Sequence, residues 1–241
     1  MIQLVEDSRI LLWDIDGTLV RSARVGLFKD YTVPVLEEVY GTAGRLREMT
    51  VSGMTDLQIV SEALRDEGFT SQQIRERMRD LRASYMRAMK RATGNGERLF
   101  ETLPGAQETL TATDEHTRYR NALLTGNIRP AARLKIRLVN LSQFFKLPGA
   151  FGDDSEDRRD LPALAARRIN RRLKLDLRPS QFIVIGDTPN DIACAKHFGA
   201  RAVAVATGRS YGLDQLLQHE PDAVLPNLSD AELVIRTLDK L

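Results

Sequence analysis

The sequence predicts an α/β protein, a three-layer Rossmann-like core of parallel strands with an inserted helical cap subdomain. Three observations carry this expectation. Short apolar runs alternate with helical patterns over much of the chain, as in a parallel sheet covered by helices. The alternation stops between about Arg21 and Asn95, where helical stretches follow one another with no convincing strand. The first apolar run ends in Asp14-Ile15-Asp16-Gly17-Thr18, placing two acids at a strand tip, where open sheets of this kind bind ligands.

Taken in order, the first expected strand is Ile10–Trp13. The inserted segment then offers a helix near Val25–Tyr40, another beginning at Thr55-Asp56, and a third from about Ser71 to Arg91. In the third, Ile74, Met78, Leu81, Tyr85 and Ala88 recur at steps of three and four, one apolar stripe of an amphipathic helix. Thr93-Gly94-Asn95-Gly96 carries turn chemistry and closes the insert. Strands resume at Ala122–Leu124, Phe182–Ile185, Ala202–Val205 and Ala223–Leu225. The expected division is therefore a core of residues 1–20 and 96–241 and a cap of residues 21–95.

Composition narrows the function classes. With 241 residues, 42% hydrophobic and 28% charged, the chain has material for a real core. Its apolar runs are far shorter than a membrane span, and Glu6, Asp7 and Arg9 precede the first strand, so neither membrane anchoring nor secretion is expected. A lone cysteine, Cys194, cannot pair internally, which points to a reducing, cytoplasmic setting. A net charge of +2 suggests no nucleic-acid partner. The arginines between Arg75 and Arg91, and the run Arg167 to Lys174, lack interleaved aromatics and read as solvated faces.

The acids after the first strand suggest chemistry. Alternate residues of an extended backbone share a side, so Asp14 and Asp16 are brought together, and two close anions call for a cation or a raised pKa. In isolation such a pair is also a common turn or cap, Thr125-Gly126-Asn127 is also an ordinary turn, and Asp187-Thr188-Pro189 also reads as a helix start. Asp14-Ile15-Asp16-Gly17-Thr18, Leu124-Thr125-Gly126-Asn127, Arg158-Arg159 and Gly186-Asp187-Thr188-Pro189-Asn190-Asp191 occur in that order. Together they resemble the motifs of the haloacid dehalogenase-like (HAD) hydrolase superfamily. Ser52-Gly53-Met54-Thr55-Asp56 and Leu103-Pro104-Gly105 resemble its phosphoglycolate-phosphatase-like branch, and the helical insert resembles its small cap.

The resemblance implies a Mg²⁺-dependent phosphatase acting on a small phosphomonoester. Asp14 would be the nucleophile and Asp16 the general acid and base. Mg²⁺ would be held by the carboxylates of Asp14 and Asp187 and the backbone carbonyl of Asp16, with Asp191 binding it directly or supporting the site. Thr125 and Gly126 would bind the phosphoryl group. Relatives usually carry a lysine at the third motif, whereas this chain has Arg158 followed by Arg159. Arg158 keeps the expected offset to the helix beginning near Leu161, and the choice between the two arginines stays open. Asp16 separates the chain from dehalogenases, since an alkoxide needs a proton and a halide does not. A phosphomutase and a non-catalytic metal- or phosphoryl-binding module are the alternatives. The cap would set substrate choice through Arg21, Thr55 and Asp56, with Thr55 and Asp56 equally readable as a helix N-cap.

Overall fold

The computed structural model describes residues 8–94, 96 and 98–241, so Glu6, Asp7 and Asn95, named above, lie outside it. From the first described residues, β1 (Arg9–Trp13) leads through a tight loop to β2 (Val20–Ser22). Helices α1 (Leu27–Tyr40), α2 (Asp56–Ala63), α3 (Ser71–Glu76) and α4 (Met78–Gly94) follow, then β3 (Phe100–Thr102). Next come α5 (Ala106–Glu115), β4 (Tyr119–Leu123), α6 (Arg129–Leu138) and α7 (Leu161–Leu173). The chain continues through β5 (Phe182–Gly186), α8 (Pro189–Phe198), β6 (Arg201–Val205), α9 (Leu213–Leu217), β7 (Ala223–Leu225) and α10 (Ala231–Asp239).

Five strands pair in parallel in the order β4-β1-β5-β6-β7. All five expected strands are present. β1 lies inside the sheet with both faces covered, and Ile10, Leu11, Leu12 and Trp13 are fully buried, which is why its sequence is apolar throughout rather than alternating. Leu11, Trp13, Ile183 and Ile185 pack on one face with α5, α6 and α10. Ile10, Leu12, Phe182 and Val184 pack on the other with α7, α8 and α9. That gives the three layers. Among the described residues no helix is long and apolar enough to cross a membrane.

The segment between β2 and β3 is helical, as expected, with two departures. β2 and β3 form an antiparallel pair, Val20 opposite Thr102, so the expected boundary at residue 20/21 cuts through a small sheet. Three-residue strands paired across eighty positions carry no readable alternation. The stretch from Ser71 to Arg91 is also two helices, separated at Arg77, whose guanidinium donates to the Val39 carbonyl. Ile74, Met78, Leu81 and Tyr85 are nevertheless buried as one stripe, and Ala88 is partly buried. Tyr85 packs edge-on to Tyr31 of α1 and its hydroxyl hydrogen-bonds that of Thr32. Arg75, Arg82 and Arg87 pair with Glu156, Asp153 and Glu38.

Candidate active site

The loop after β1 sets the geometry. The Asp14 amide donates to the Ile185 carbonyl at 2.9 Å, extending the β1–β5 ladder by one rung and placing the Asp14 carboxylate at the carboxyl edge of the sheet. Buried Ile15 anchors the turn, its carbonyl accepting from the amides of Leu19 and Val20. Gly17 has φ +86°, and a Cβ there would lie 2.2 Å from the Asp187 carboxylate, so only glycine lets this loop approach β5 so closely.

Asp187 follows β5 and Asp191 lies in the first turn of α8. One carboxylate oxygen from each of Asp14, Asp187 and Asp191 lies within 4.8 Å of the others, and all three residues are buried. The helix-start reading of this segment also holds. Thr188 donates both its amide and its hydroxyl to Asp191 Oδ2, at 3.1 and 2.7 Å. The other oxygen, Oδ1, accepts from Arg158.

Arg158 is the cation that crosses this cluster. Its Nη2 donates to Asp14 Oδ1 at 3.0 Å as well as to Asp191, and Nη1 donates to the Gly53 carbonyl at 3.2 Å. Its Nε is buried with no partner among the described residues. Burial opposes the Arg158 charge, but Asp191 and Asp14 outweigh it and raise the guanidinium above its ordinary pKa. Arg159, by contrast, is exposed and folds back onto Asp157. Of the two arginines, the structure brings Arg158 to the acids. One guanidinium does not balance them. Burial, then Asp191 and Asp16, lift Asp14 to about 7 despite Arg158. Burial, then Asp14 and Asp191, raise Asp187 too. Buried, hard oxygen donors short of positive charge fit a divalent cation.

Asp16 lines the same cleft, but its carboxylate turns toward α6. Lys135 Nζ donates to both its oxygens, at 2.8 and 2.7 Å, and Asn127 Nδ2 donates to Oδ2 at 2.6 Å. Lys135 Nζ also donates to Asn127 Oδ1 at 2.6 Å, closing a ring of three side chains. Thr125, fully buried, accepts from Asn127 Nδ2 at its hydroxyl. Gly126 faces the helical segment: a Cβ there would strike the Met54 carbonyl at 2.2 Å and crowd Arg158.

Asp56 meets this loop from the other side. Its amide donates to the Gly126 carbonyl and its Oδ2 accepts from the Ile128 amide, both at 2.7 Å. Burial lifts Asp56 to about 7 against that amide and Lys135. Asp56 therefore lines the cleft. The other two expected substrate contacts are placed elsewhere. Thr55 caps α2, accepting from the Gln58 amide and donating to the Glu156 carbonyl, so its hydroxyl is used in structure. Arg21 reaches across the β2–β3 pair to Glu101, directly opposite in register, at 2.7 Å. On a strand, its neighbour Ser22 takes the opposite side and lines the cleft instead.

The cavity is about 190 Å³ and is also lined by Phe28, Tyr31 and Met54. Lys135 was missed by sequence reasoning, although a signal exists. It sits beside Ala131, Ala132 and Ile136 on the buried face of α6, where a lysine needs a partner.

The HAD-hydrolase-like family model matches residues 160–231, which run from the start of α7 to the start of α10. A phosphoglycolate phosphatase of Pectobacterium atrosepticum is 28% identical over 222 residues, covering 92% of this chain and 90% of that one. The pyrophosphatase PpaX of Anoxybacillus flavithermus is 23% identical, covering 91% and 93%. The crystal structure of a predicted phosphoglycolate phosphatase from Haemophilus somnus superposes with a TM-score of 0.65 at 19% identity, over 96% of this chain and 99% of that one, a likeness of fold. Over nearly its whole length the chain is similar to phosphoglycolate phosphatases, and its C-terminal part matches the HAD-hydrolase-like family.

Proposed function

We propose that the chain is a Mg²⁺-dependent phosphatase that hydrolyses a small phosphomonoester through an aspartyl-phosphate at Asp14. The observation that carries the reading is the buried trio Asp14, Asp187 and Asp191, crossed by Arg158, with Asp16 opening onto the same cleft. An Asp14 oxygen bonds to phosphorus while the phosphorus–oxygen bond to the alcohol breaks, and Asp16 delivers a proton to the departing oxygen. Water then attacks the acyl phosphate, Asp16 takes its proton, and phosphate leaves with Asp14 regenerated. Mg²⁺ would be held by the carboxylates of Asp14 and Asp187 and the Asp16 carbonyl, supported by Asp191. When bound, it would supply positive charge to the reaction.

The Arg158 guanidinium, the Thr125 hydroxyl and the Gly126 amide would be the donors to the phosphoryl group, and all three residues line the cleft. The helices between β2 and β3 act as the cap, and Phe28, Tyr31, Met54 and Asp56 face the leaving group. The small cavity supports a small metabolite, and the buried, unpaired Cys194 supports a reducing, cytoplasmic setting. The test is phosphate release from an aryl phosphate and a panel of metabolite phosphates, with Mg²⁺ and with chelator. Mg²⁺-dependent release is expected. An isomerised sugar phosphate without free phosphate, or no turnover by folded protein, overturns the reading.

Metal binding is also readable without turnover. Asp14 and Asp56 have folded pKa values raised to about 7 from 3.8. For a raised carboxylate the folded state holds its proton more tightly than the unfolded chain. Its stabilising contribution is present at acid pH and is lost as pH rises through that interval. The metal-free protein should therefore melt at a lower temperature at pH 8 than at pH 5.5. Mg²⁺ competes with those protons at Asp14, so its stabilisation should be larger at pH 8. Melting curves at the two pH values, with and without Mg²⁺, check both signs.

A further inference from the structure

Lys135 belongs to no motif named above, yet its ammonium is among the most enclosed charges in the molecule, 3% exposed. A buried ammonium has three protons to place. Here they go to Asp16 Oδ1, Asp16 Oδ2 and Asn127 Oδ1, at 2.8, 2.7 and 2.6 Å, while Nζ stands over the Phe100 ring, 5.2 Å from its centroid. Asn127 in turn donates to Asp16 Oδ2, so that oxygen receives two hydrogen bonds and Oδ1 receives one. Asp16 is partly exposed and its backbone lies on the β1–β2 loop, whereas Lys135 and Asn127 are held by α6 and its entry. The loop acid Asp16 is thereby tied to α6.

We propose that Lys135 is a positioning residue that holds Asp16, directly and through Asn127, with Oδ1 presented to the oxygen of the departing alcohol. The proposal rests on the phosphatase reading above. With Oδ2 engaged by two donors, Oδ1 is the oxygen left to carry the proton. That proton passes from Asp16 Oδ1 to the leaving oxygen as its bond to phosphorus breaks, and Lys135 keeps all of its own. Lys135 thus matters in proportion to how much the leaving group needs protonation. An alkyl phosphate, which departs as a basic alkoxide unless protonated, depends on it. An aryl phosphate with an acidic phenol depends on it little.

The test is Lys135→Met, which keeps the unbranched stem of the side chain and removes its donors. The measured quantity is kcat/KM with Mg²⁺ on an alkyl phosphate and on an activated aryl phosphate, since kcat/KM reports the step that transfers phosphorus to Asp14. The alkyl value should fall on the order of 100-fold, the aryl value by only about 5-fold, in keeping with the usual size of general acid catalysis. Asp16→Asn should distort the alkyl-to-aryl ratio in the same direction. Equal losses on both substrates, which a purely structural role would give, overturn the proposal. If Lys135→Met does not fold, Lys135→Gln retains two donors and should hold the ratio closer to the parent's than Lys135→Ala does. No difference between those two variants equally overturns it. A parent inactive on both esters would instead sink the phosphatase reading, so the two failures are distinguishable.

Discussion

Asp14→Asn should abolish turnover, a loss on the order of 10⁴-fold or more, while leaving the fold intact and more stable than the parent above pH 7. The two effects have one origin. Asp14 is buried against Asp187 and Asp191, and its pKa stands at about 7 because burial and its acidic neighbours outweigh Arg158. A carboxylate held there is poorly solvated and repelled, which costs stability once it ionises. Asparagine has nearly the same shape and keeps an oxygen that accepts from Arg158, but it carries no charge and cannot form an acyl phosphate. The sign follows from linkage. The parent loses stability as pH rises from about 4 through about 7, and the variant does not lose that share. The excess stability should therefore be present at pH 8 and absent at pH 4. Thermal melts across that range, together with phosphate release and mass detection of a phosphorylated Asp14 in the parent alone, check the prediction. Retained turnover would place the nucleophile elsewhere.

The core was legible in the sequence because its signals are local. Buried parallel strands need unbroken apolar runs, and turns at their carboxyl ends need Asp, Gly, Thr and Pro in sequence, as at Asp14-Ile15-Asp16-Gly17 and Asp187-Thr188-Pro189. What escaped depends on partners remote in the chain. β2 exists because Val20 meets Thr102. Lys135 is a site residue because Asp16, more than a hundred positions earlier, lies above its ammonium. Arg21 and Ser22 illustrate a finer limit: proximity to the motif was readable, but the side of the strand was fixed only by pairing with β3. Thr55 and Asp56 divide similarly, one spent on capping α2 and the other turned into the cleft. Choosing Arg158 over Arg159 required knowing that a single 3₁₀ turn, Arg158–Asp160, aims one arginine inward and the next at Asp157.

Arg158→Met is the second large effect expected. Arg158 is the cation that contacts Asp14 and Asp191 among the described residues, and removing one partner of a buried ion pair leaves the other charges uncompensated. That predicts a stability loss of about 3–5 kcal/mol near pH 8 without metal. The loss should shrink at pH 5.5, where Asp14 holds its proton, and shrink again at pH 8 when Mg²⁺ restores positive charge beside the carboxylates. Activity should fall about 10²–10³-fold, the usual size for removing a fixed donor to a developing anion. Arg158→Lys keeps the charge but not the forked reach to Asp14, Asp191 and Gly53, so it should recover stability better than activity. Melts of both variants at the two pH values, with Mg²⁺ or chelator, separate the charge from the packing of the side chain. If the loss in Arg158→Met were the same at both pH values and untouched by Mg²⁺, the guanidinium would be acting as bulk, and the cluster would need no cation to balance it. The steep dependence expected here follows from three clustered carboxylates, two of which are contacted by the one guanidinium of Arg158.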